Sequence, residues 1–448
     1  MSLLESSNEY WEFLGQCTQC GHCTQACESL TTANMTLGDI AKSLLDAQRD
    51  AGSSDELAIK LAANEQLTQA VRGCFFCTTC KNTCFAHNDV STLIYHARDD
   101  YQKLGLIPRD TYASVEVDKE WDIFTAYRAI YGIDLTDLTR HIKTETHDAA
   151  TDCEVAFFPG CSLAAYAPDL TREIFETLDE LGGKATMIDH CCGSPLKSAG
   201  FFDRAEALCD RSCAEIASSG AHTLVCVCPG CKNAMQAALD RNGMDVRAVS
   251  LSAFLLEHGF TSKHPLPEGS YCMSKACQDR DGSCLDATLE VLGLDGDTVE
   301  IFHGCCGAGG AVNSFEPDRV DGQTEVKLSF APEGSTVVTM CPTCTYTYAF
   351  YLMGHPRELG NKHYAELLFD TQIDWDLVFA QLQGMWTGEY GPWLAQVFDG
   401  HEHERNDNRG TRLHHRIWCR RLQHRHRAAH ERLHRPHSHV LRYRHASL

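Results

Sequence analysis

The spacing of hydrophobic residues divides the chain into a helical part and a mixed part. Between residues 37 and 67, apolar residues recur at steps of three and four, which predicts one or two amphipathic helices. Ser54 suits a helix start within this stretch, and a further helix is predicted from Ser91 until Pro108 stops it. Because no strong strand pattern interrupts this part, residues 1–108 are predicted to form an all-α domain.

After residue 150 the pattern changes to short apolar runs, each followed by a cysteine-bearing turn and a helix. This alternation occurs three times in residues 151–262 and three times again in 263–372, which predicts two α/β domains with parallel sheets. Residues 109–150, with mixed charge and several aromatics, are predicted to be a partly helical bridge packed on a neighbour. Residues 373–448 form a C-terminal extension.

Composition places the chain among folded proteins that use cysteine as a metal ligand. A hydrophobic content of 43% in 448 residues supports several cores, and there are 25 cysteines. The N-terminus lacks the basic start and apolar core of a secretion signal, and no stretch reaches about 18 uninterrupted apolar residues. We therefore expect a cytoplasmic protein in which clustered cysteines bind metal and do not form disulfides.

The charge is strongly uneven along the chain. Residues 401–448 hold 12 Arg and four acidic residues, so this tail carries +8, whereas the whole chain carries −22 and the first 400 residues carry −30. An acidic body disfavours nucleic acid and suits docking on other proteins. The His/Arg-rich composition of the tail fits a disordered segment or out-of-frame translation as well as a metal-binding tract, and we assign it no function.

The N-terminal part carries two cysteine runs with the spacing of cubane [4Fe–4S] ligands. The first run extends from Cys17 to Cys27 and the second from Cys74 to Cys84. In each run three cysteines follow at steps of three, and the fourth lies four residues after the third. In two-cluster ferredoxins the fourth cysteine serves the other cluster. That logic predicts a first cubane set of Cys17, Cys20, Cys23 and Cys84, and a second cubane set of Cys27, Cys74, Cys77 and Cys80. The alternative is zinc, but a tetrahedral zinc site needs two separated CxxC pairs, and each run is too compact to supply them.

The mixed part is organised around a doubled cysteine that occurs twice. Its first cysteine set is Cys161, Cys191, Cys192, Cys228 and Cys231, and its second cysteine set is Cys277, Cys305, Cys306, Cys341 and Cys344. Five thiolates exceed what one tetrahedral zinc can use, and buried core cysteines do not explain doubled cysteines repeated at nearly constant spacing. The glycines beside each pair let the backbone approach a bulky inorganic ligand. Iron–sulfur binding is therefore predicted for both sets.

At these motifs the chain resembles heterodisulfide reductase. FFPGCS, HCCGSP and CPGC, with HGCCGAGG and CPTC in the second copy, resemble the paired CCG domains of its B-type subunit, and the N-terminal unit resembles its α-helical ferredoxin, the C-type subunit. The fusion in this order resembles the D-type subunit over about residues 10–350. The resemblance implies two cubane clusters, two noncubane [4Fe–4S] clusters in the CCG domains, and catalysis at Cys191, Cys192, Cys305 and Cys306. Cys153 and Cys272 are alternatives for the first ligand of each cysteine set.

The resemblance leads to two hypotheses of function. The first is an oxidoreductase subunit that passes electrons from the cubane clusters to the CCG clusters for disulfide or thiol chemistry. The second is an electron-transfer subunit of a flavin dehydrogenase (glycerol-3-phosphate, glycolate, lactate or succinate type) that feeds a quinone. Either needs a redox partner, namely a flavoprotein, a hydrogenase or a membrane cytochrome b. Such a partner could hold the protein at the inner face of the membrane. A zinc-binding scaffold is a third reading.

The remaining candidate residues have ordinary interpretations as well. His190 and His303 each precede a doubled cysteine, so each is either a donor to the cluster, a proton source or a structural histidine. Five further cysteines fit neither pattern and are predicted to be small core residues: Cys209, Cys213, Cys226, Cys284 and Cys419. No nucleotide-binding or Ser–His–Asp motif is present, so flavin and nucleotide binding are not predicted.

Overall fold

The N-terminal part is helical, as predicted. The computed structural model describes residues 3–86, 88, 90–107, 115–145, 148–262, 264–369 and 371–399. The predicted helix stop at Pro108, Cys419 and the His/Arg-rich tail lie outside these residues. The helices of this part are α1 (Ser7–Gln16), α2 (His22–Gln25), α3 (Glu28–Ala33), α4 (Leu37–Arg49), α5 (Ser54–Ala63), α6 (Glu65–Arg72), α7 (Thr79–Asn82) and α8 (Val90–Lys103).

Local capping explains how these helices begin and end. Thr36 caps α4, since its hydroxyl accepts the Asp39 backbone N–H and the Asp39 carboxylate accepts the Thr36 N–H in return. Where one or two helices were predicted between residues 37 and 67, the structure has three. Asn64 ends α5, and its side chain accepts the Leu67 N–H that opens α6, so the apolar periodicity continues across a break.

The first CCG copy is an α/β unit with four strands. After α9 (Ile123–Tyr131) and a 3₁₀ turn (Thr136–Leu138), its elements are β1 (Val155–Phe158), α10 (Cys161–Tyr166), α11 (Pro168–Gly182), β2 (Ala185–Met187), α12 (Ser194–Ser198), α13 (Phe202–Ser219), β3 (Thr223–Cys226), α14 (Pro229–Arg241), β4 (Arg247–Ser250) and α15 (Leu251–Glu257). The strands are parallel in the order β2-β1-β3-β4.

The second copy repeats this topology. Its elements are β5 (Ser270–Ser274), α16 (Ser283–Leu292), β6 (Glu300–Phe302), α17 (Val312–Phe315), α18 (Pro317–Leu328), β7 (Ser335–Thr339), α19 (Pro342–Gly354), β8 (Gly360–His363) and α20 (Tyr364–Leu368). Its strands are parallel in the order β6-β5-β7-β8. The α/β prediction is confirmed, but three strands were expected in each copy. The fourth was missed because no cysteine-bearing turn follows β4 or β8, and because β8 reads Gly-Asn-Lys-His, a polar sequence without strand propensity.

Alternating residues of the strands face two helical layers. In β1, Val155 and Phe157 pack with α11 and α15, whereas Ala156 and Phe158 pack with α13 and α14. The cluster around Phe157 continues into the second copy through Met273, so the two copies share one core. Because helices cover both faces of each sheet, the edge formed by the carboxyl ends of its strands remains open.

The bridge packs on the chain that follows the second copy. That segment forms α21 (Trp375–Thr387) and α22 (Gly391–Asp399). Tyr127 of α9 lies in one apolar cluster with Phe379 and Trp386 of α21, and Ala165 of the first copy joins them. No helix within the described residues is long and apolar enough to cross a bilayer.

Candidate functional site

The cysteines of the first set are brought together by turns that follow the carboxyl ends of three strands. Cys161 opens α10 after β1, the doubled cysteine follows β2, and Cys228 is the N-cap of α14 after β3. Gly193 ends the doubled-cysteine turn with φ of +70°, and an added Cβ there would stand 2.9 Å from the Ala205 carbonyl oxygen. Glycine is therefore required at this position by both its conformation and its close packing.

Within this set the thiols contact one another in sequence. Cys161 Sγ lies 3.7 Å from Cys191 Sγ. The thiol of Cys192 interacts electrostatically with those of Cys191 and Cys231, and Cys231 interacts likewise with Cys228. Each of the five thiols is therefore near another thiol of the set.

The second set has the same arrangement. Cys305 interacts electrostatically with Cys277 and Cys306, and Cys344 interacts likewise with Cys306 and Cys341. The turn again ends in a glycine with positive φ, Gly307 at +93°, whose added Cβ would lie 2.9 Å from a carbonyl oxygen of α18. The internal repeat seen in the sequence is therefore a repeat of site geometry.

The two sets meet at one contact. Cys228 Sγ lies 3.4 Å from Cys341 Sγ, and each of these residues is the N-cap of a 13-residue helix. This contact joins the cysteine set of one copy to that of the other. Helix N-termini favour negative charge, so α14 and α19 stabilise thiolates where the copies meet.

Hydrogen bonding divides the thiols into two electrostatic classes. Hydrogen bonds from Cys191 and Cys231 hold the pKa of Cys192 well below its ordinary value, and those from Cys305 and Cys344 do the same for Cys306. The pKa of Cys191 is raised by its hydrogen bonds to Cys161 and Cys192 and by burial. Thiolates are the form that ligates iron, and the thiols of each doubled cysteine influence each other's ionisation.

The ferredoxin-like cysteines line two separate cavities. One cavity, about 20 Å³, is lined by Cys17, Cys20, Cys23 and Cys84. The other, about 250 Å³, is lined by Cys27, Cys74, Cys77 and Cys80. Each cavity gathers three cysteines of one run and the last cysteine of the other.

The two cysteine loops also share an unusual backbone. Gln19 and Gly21 in the first loop have φ of +51° and +80°, and the matching Phe76 and Thr78 in the second have +52° and +63°. Left-handed conformations are costly for residues such as Phe and Thr, and they recur where a backbone is shaped around a ligand. The repeated turn directs the thiols of each loop to one side, which fits a polynuclear cluster.

The two cavities differ in exposure. Cys20 is exposed, and hydrogen bonds from the backbone and side chain of His22 lower its pKa to about 7. Burial instead raises the pKa of Cys74 to about 12, although the Arg98 cation opposes this. The first cubane set is therefore open to solvent at Cys20, whereas each cysteine of the second cubane set is only partly exposed.

The second cavity extends to the second CCG copy. Gly304, Cys305 and Gln323 line it together with the second cubane set. Gly309 and Gly310 pack so closely on the Phe75 and Cys74 carbonyls that an added Cβ at either glycine would overlap them. The glycines of GCCGAGG were attributed above to an inorganic ligand, but these two serve the contact between domains.

Arg98 holds this junction and was not identified from the sequence. It is fully buried, and its guanidinium group donates to the carbonyls of Val71, Arg72 and Cys74. These three residues belong to the N-terminal helical part, named the ferredoxin part after its resemblance. It also donates to the carbonyl of Ser198 in the first copy and to that of Gly310 in the second. Arg98 lies four positions after an apolar residue and therefore on the buried face of α8. A charged residue where the helical periodicity predicts an apolar one is the sequence signal that could have revealed it.

The histidines before the doubled cysteines differ. His190 Nε2 lies 2.8 Å from Glu215, whose carboxylate also lies 3.1 Å from His141 Nε2. Although burial opposes it, these hydrogen bonds lower the pKa of Glu215 to about 2. His303 is largely exposed, and the partial burial of its ring together with Lys275 lowers its pKa. Sequence reasoning missed Glu215 because it lies 25 residues from His190.

The other cysteines within the described residues belong to neither set. Cys153 precedes β1 and Cys272 lies within β5, so the structure places both apart from the turns that carry Cys161 and Cys277. Four more are buried, as predicted for core residues: Cys209, Cys213, Cys226 and Cys284.

Comparison with known proteins identifies the repeated unit. Residues 155–236 and 272–348 match the CCG cysteine-rich domain. The B-type subunit of a fumarate reductase (CoM/CoB) of Methanothermobacter marburgensis is 26% identical over 42% of this chain and 40% of that protein. An uncharacterized iron–sulfur protein of Methanocaldococcus jannaschii is 25% identical over 49% of this chain and 44% of that protein. The chain spans less than half the length of these two relatives.

A longer similarity covers both parts of the chain. The D-type subunit of the dihydromethanophenazine:CoB–CoM heterodisulfide reductase of Methanosarcina acetivorans is 22% identical over 365 residues, which are 74% of this chain and 87% of that protein. The resemblance predicted from the cysteine motifs is confirmed: the chain contains two CCG domains and is similar to the D-type subunit of heterodisulfide reductase along about three quarters of its length.

Proposed function

We propose that the chain is the iron–sulfur subunit of an oxidoreductase of the heterodisulfide reductase type. The observation that carries this proposal is the repeated placement of five cysteines on the turns after the strands of each copy, with the two copies joined by the 3.4 Å contact of Cys228 and Cys341. Each set supplies five thiols at the open edge of a parallel sheet, which suits a polynuclear cluster better than one tetrahedral ion. The similarity to the D-type subunit over both parts of the chain supports the same assignment.

The ligand sets follow from the cavities. The first cubane set would hold one [4Fe–4S] cluster near the surface, and the second cubane set would hold another inside. The first and second cysteine sets would each hold one noncubane [4Fe–4S] cluster. Support comes from the gathering of each cubane set around its own cavity and from the matching left-handed turns in the two loops.

The order of the sites gives a direction for electrons. An external partner would reach the exposed Cys20 side, since the cysteines of the second cubane set are only partly exposed. Because Cys305 lines the same cavity as that set, electrons would pass to the second cysteine set before the first. The contact of Cys228 with Cys341 then connects the two copies.

The proposed reaction is reduction of a disulfide to two thiols, which consumes two electrons and two protons. The clusters would supply single-electron transfers, and the chain binds and positions them. Cys191, Cys192, Cys305 and Cys306 would ligate the iron that faces the reacting sulfur. The four are buried, at 3–7% exposure, so the clusters would be shielded from water.

A direct test uses protein purified without oxygen. It should be brown and hold about sixteen iron atoms, and oxidation in the presence of a thiol should give a paramagnetic signal that depends on that thiol. A colourless protein containing zinc would overturn the proposal. The same measurement in C306S should retain the cubane signals and lose disulfide reduction.

The second candidate is an electron-transfer subunit without its own substrate, which would serve a flavin-containing partner. The observation that favours it is the similarity to a fumarate reductase subunit of the B type. In that case the protein holds iron and passes electrons, but no thiol changes its spectrum. Either kind of protein would work beside a partner in the cytoplasm, free or at the inner face of the membrane.

A further inference from the structure

One lysine is buried beside the second cysteine set. Lys327 is 2% exposed, and its Nζ donates to the carbonyls of Gly304 at 2.8 Å and Lys275 at 3.2 Å. Gly304 directly precedes Cys305, and Lys275 lies two residues before Cys277. The ammonium group is therefore held between the two loops that carry these ligands.

Among the described residues, no carboxylate is paired with this lysine. Its polar partners there are the two carbonyls, and it also lies over the Phe302 ring, 5.3 Å from the centroid. Burying an ion costs several kcal/mol unless an opposite charge is near. Burial lowers the pKa of Lys327, and the negative charge of the second-set cysteines, Cys344 and Cys306 foremost, opposes this. As metal-bound thiolates they would supply the missing countercharge.

The equivalent position of the first copy carries a serine. Cys209 in α13 and Thr324 in α18 make equivalent contacts, since each donates to the carbonyl of the second cysteine in its own doubled pair. Three residues further along these helices lie Ser212 and Lys327. Ser212 is fully buried, and its hydroxyl donates to its own helix at Leu208. The helices match, and at this position the charge is present in one copy only.

Resting on the proposed function, we infer that Lys327 is a positioning residue that sets the order of electron transfer. A reduced cluster is more negative than an oxidised one, so a fixed cation beside it favours reduction. Lys327 would therefore make the second cysteine set the better electron acceptor. That set also lines the cavity of the second cubane set, so the favoured acceptor is the nearer one.

The test is a redox titration of the intact iron-loaded protein, followed by electron paramagnetic resonance. The signal of the second set is assigned by its loss in C306S. K327M should lower its midpoint potential by at least a tenfold change in equilibrium constant, which is about 59 mV for one electron. K327R keeps the charge and should stay near the wild-type value. S212A, the matched change in the first copy, should leave both potentials unchanged.

Each further outcome also decides the inference. If K327M loses the roughly four iron atoms of the second set while K327R retains them, the positive charge is required and the inference is supported. Full iron content with an unchanged potential in K327M would overturn it. Equal iron loss in K327M and K327R would also overturn it, because shape and not charge would then matter. Wild-type protein without iron would instead refute the proposed function itself.

Discussion

The two CCG copies share a skeleton and differ in what surrounds it. Each has four parallel strands in the same order, five cysteines and a glycine of positive φ after the doubled cysteine. Beside the first set lies Glu215, a carboxylate between two histidines, and beside the second lies the buried Lys327. The repeat thus keeps the same cysteines in both copies, whereas the charged groups around them differ. Two sites of unequal electron affinity need a difference of this kind.

The ferredoxin part also approaches the copies differently. Arg98 contacts backbone of both, but the cavity of the second cubane set is lined by residues of the second copy, among them Cys305. In the proposed order of transfer, the second copy is therefore the nearer to the incoming electrons, and it also holds the buried cation. The position of the second copy and the charge of its buried lysine therefore favour the same order of electron transfer, in which the second cysteine set is reduced before the first.

The strongest test of this difference replaces one ligand in each copy. C306S and C192S should each lose about four iron atoms and disulfide reduction. In C306S the remaining CCG cluster should no longer be reduced quickly through the cubane clusters, because the intermediate site is missing. In C192S the remaining cluster should still be reduced at the wild-type rate. Stopped-flow reduction monitored by absorbance compares the two.

Equal reduction rates in these variants would show that both copies receive electrons directly. The matched pair controls for loss of iron, since the replaced residues occupy equivalent positions and are similarly buried, at 5% and 7% exposure. Only the place of each copy along the proposed path then differs.

The next largest effect is expected at Arg98, which ties the ferredoxin part to both copies. R98M would remove donors from five backbone carbonyls in three segments, and buried carbonyls without partners are costly. We expect a loss of about 3–5 kcal/mol in the free energy of unfolding. Anaerobic denaturation measures it.

The control for R98M is R49M. Arg49 is paired with Asp46 and Asp50, but its side chain is 68% exposed, so the change should cost less than about 1 kcal/mol. Similar losses in the two variants would show that the buried cation does not join the domains.

Much of this arrangement could be predicted from cysteine spacing, because ligand geometry leaves a local signature. The α-helical first part, the two α/β units and the turns after the strands all follow from periodicity and from the position of cysteine. Arg98 and Lys327 could not be placed, because a buried cation has no local motif. Each stands on the apolar face of its helix, and only the three-dimensional packing shows which carbonyls receive it.

The glycines show the same limit of prediction from the sequence. Gly307 was correctly associated with the doubled cysteine, whereas Gly309 packs on a carbonyl more than two hundred residues earlier in the chain. A glycine in the sequence indicates a backbone position that another group approaches closely, but it does not show which group that is. The fourth strands of the two sheets were missed for a related reason, since edge strands carry little hydrophobic signal.

A smaller effect is expected from closing the space between the ferredoxin part and the second copy. In G309A the new methyl group would overlap the Phe75 carbonyl oxygen, and overpacking of this kind costs about 1–3 kcal/mol. Electron transfer into the second copy should slow in parallel. G322A is the control, because nothing lies within 4 Å of the added Cβ in the middle of α18. That change should be neutral or stabilise by up to about 1 kcal/mol.

If G309A left both stability and the reduction rate unchanged, the close contact of the domains would not matter for transfer. A loss of stability with an unchanged rate would limit the contact to folding. The comparison of the copies predicts that both fall together, since the same loop carries the packing and the doubled cysteine.

The smallest predicted effect concerns the acidic surroundings of the first copy, which extend to the bridge. Asp122 caps α9 at 6% exposure, and burial raises its pKa to about 6, with the nearby Asp189 acting in the same direction. A carboxyl whose pKa is raised on folding binds its proton more tightly in the folded state. Stability therefore falls as the pH rises from about 4 to above 6, and it stays low beyond that.

D122N should remove this loss, because asparagine keeps the capping oxygen that accepts the Phe124 and Thr125 N–H groups. The full shift corresponds to about 3 kcal/mol, and loss of the charge at the helix N-terminus offsets up to about 1 kcal/mol of it. We therefore expect D122N to be more stable than wild type by about 2 kcal/mol at pH 8 and by much less at pH 5. D374N, at the exposed cap of α21, should show no such difference between the two pH values. A D122N effect that did not change with pH would show that burial does not raise the pKa of Asp122 in the folded protein.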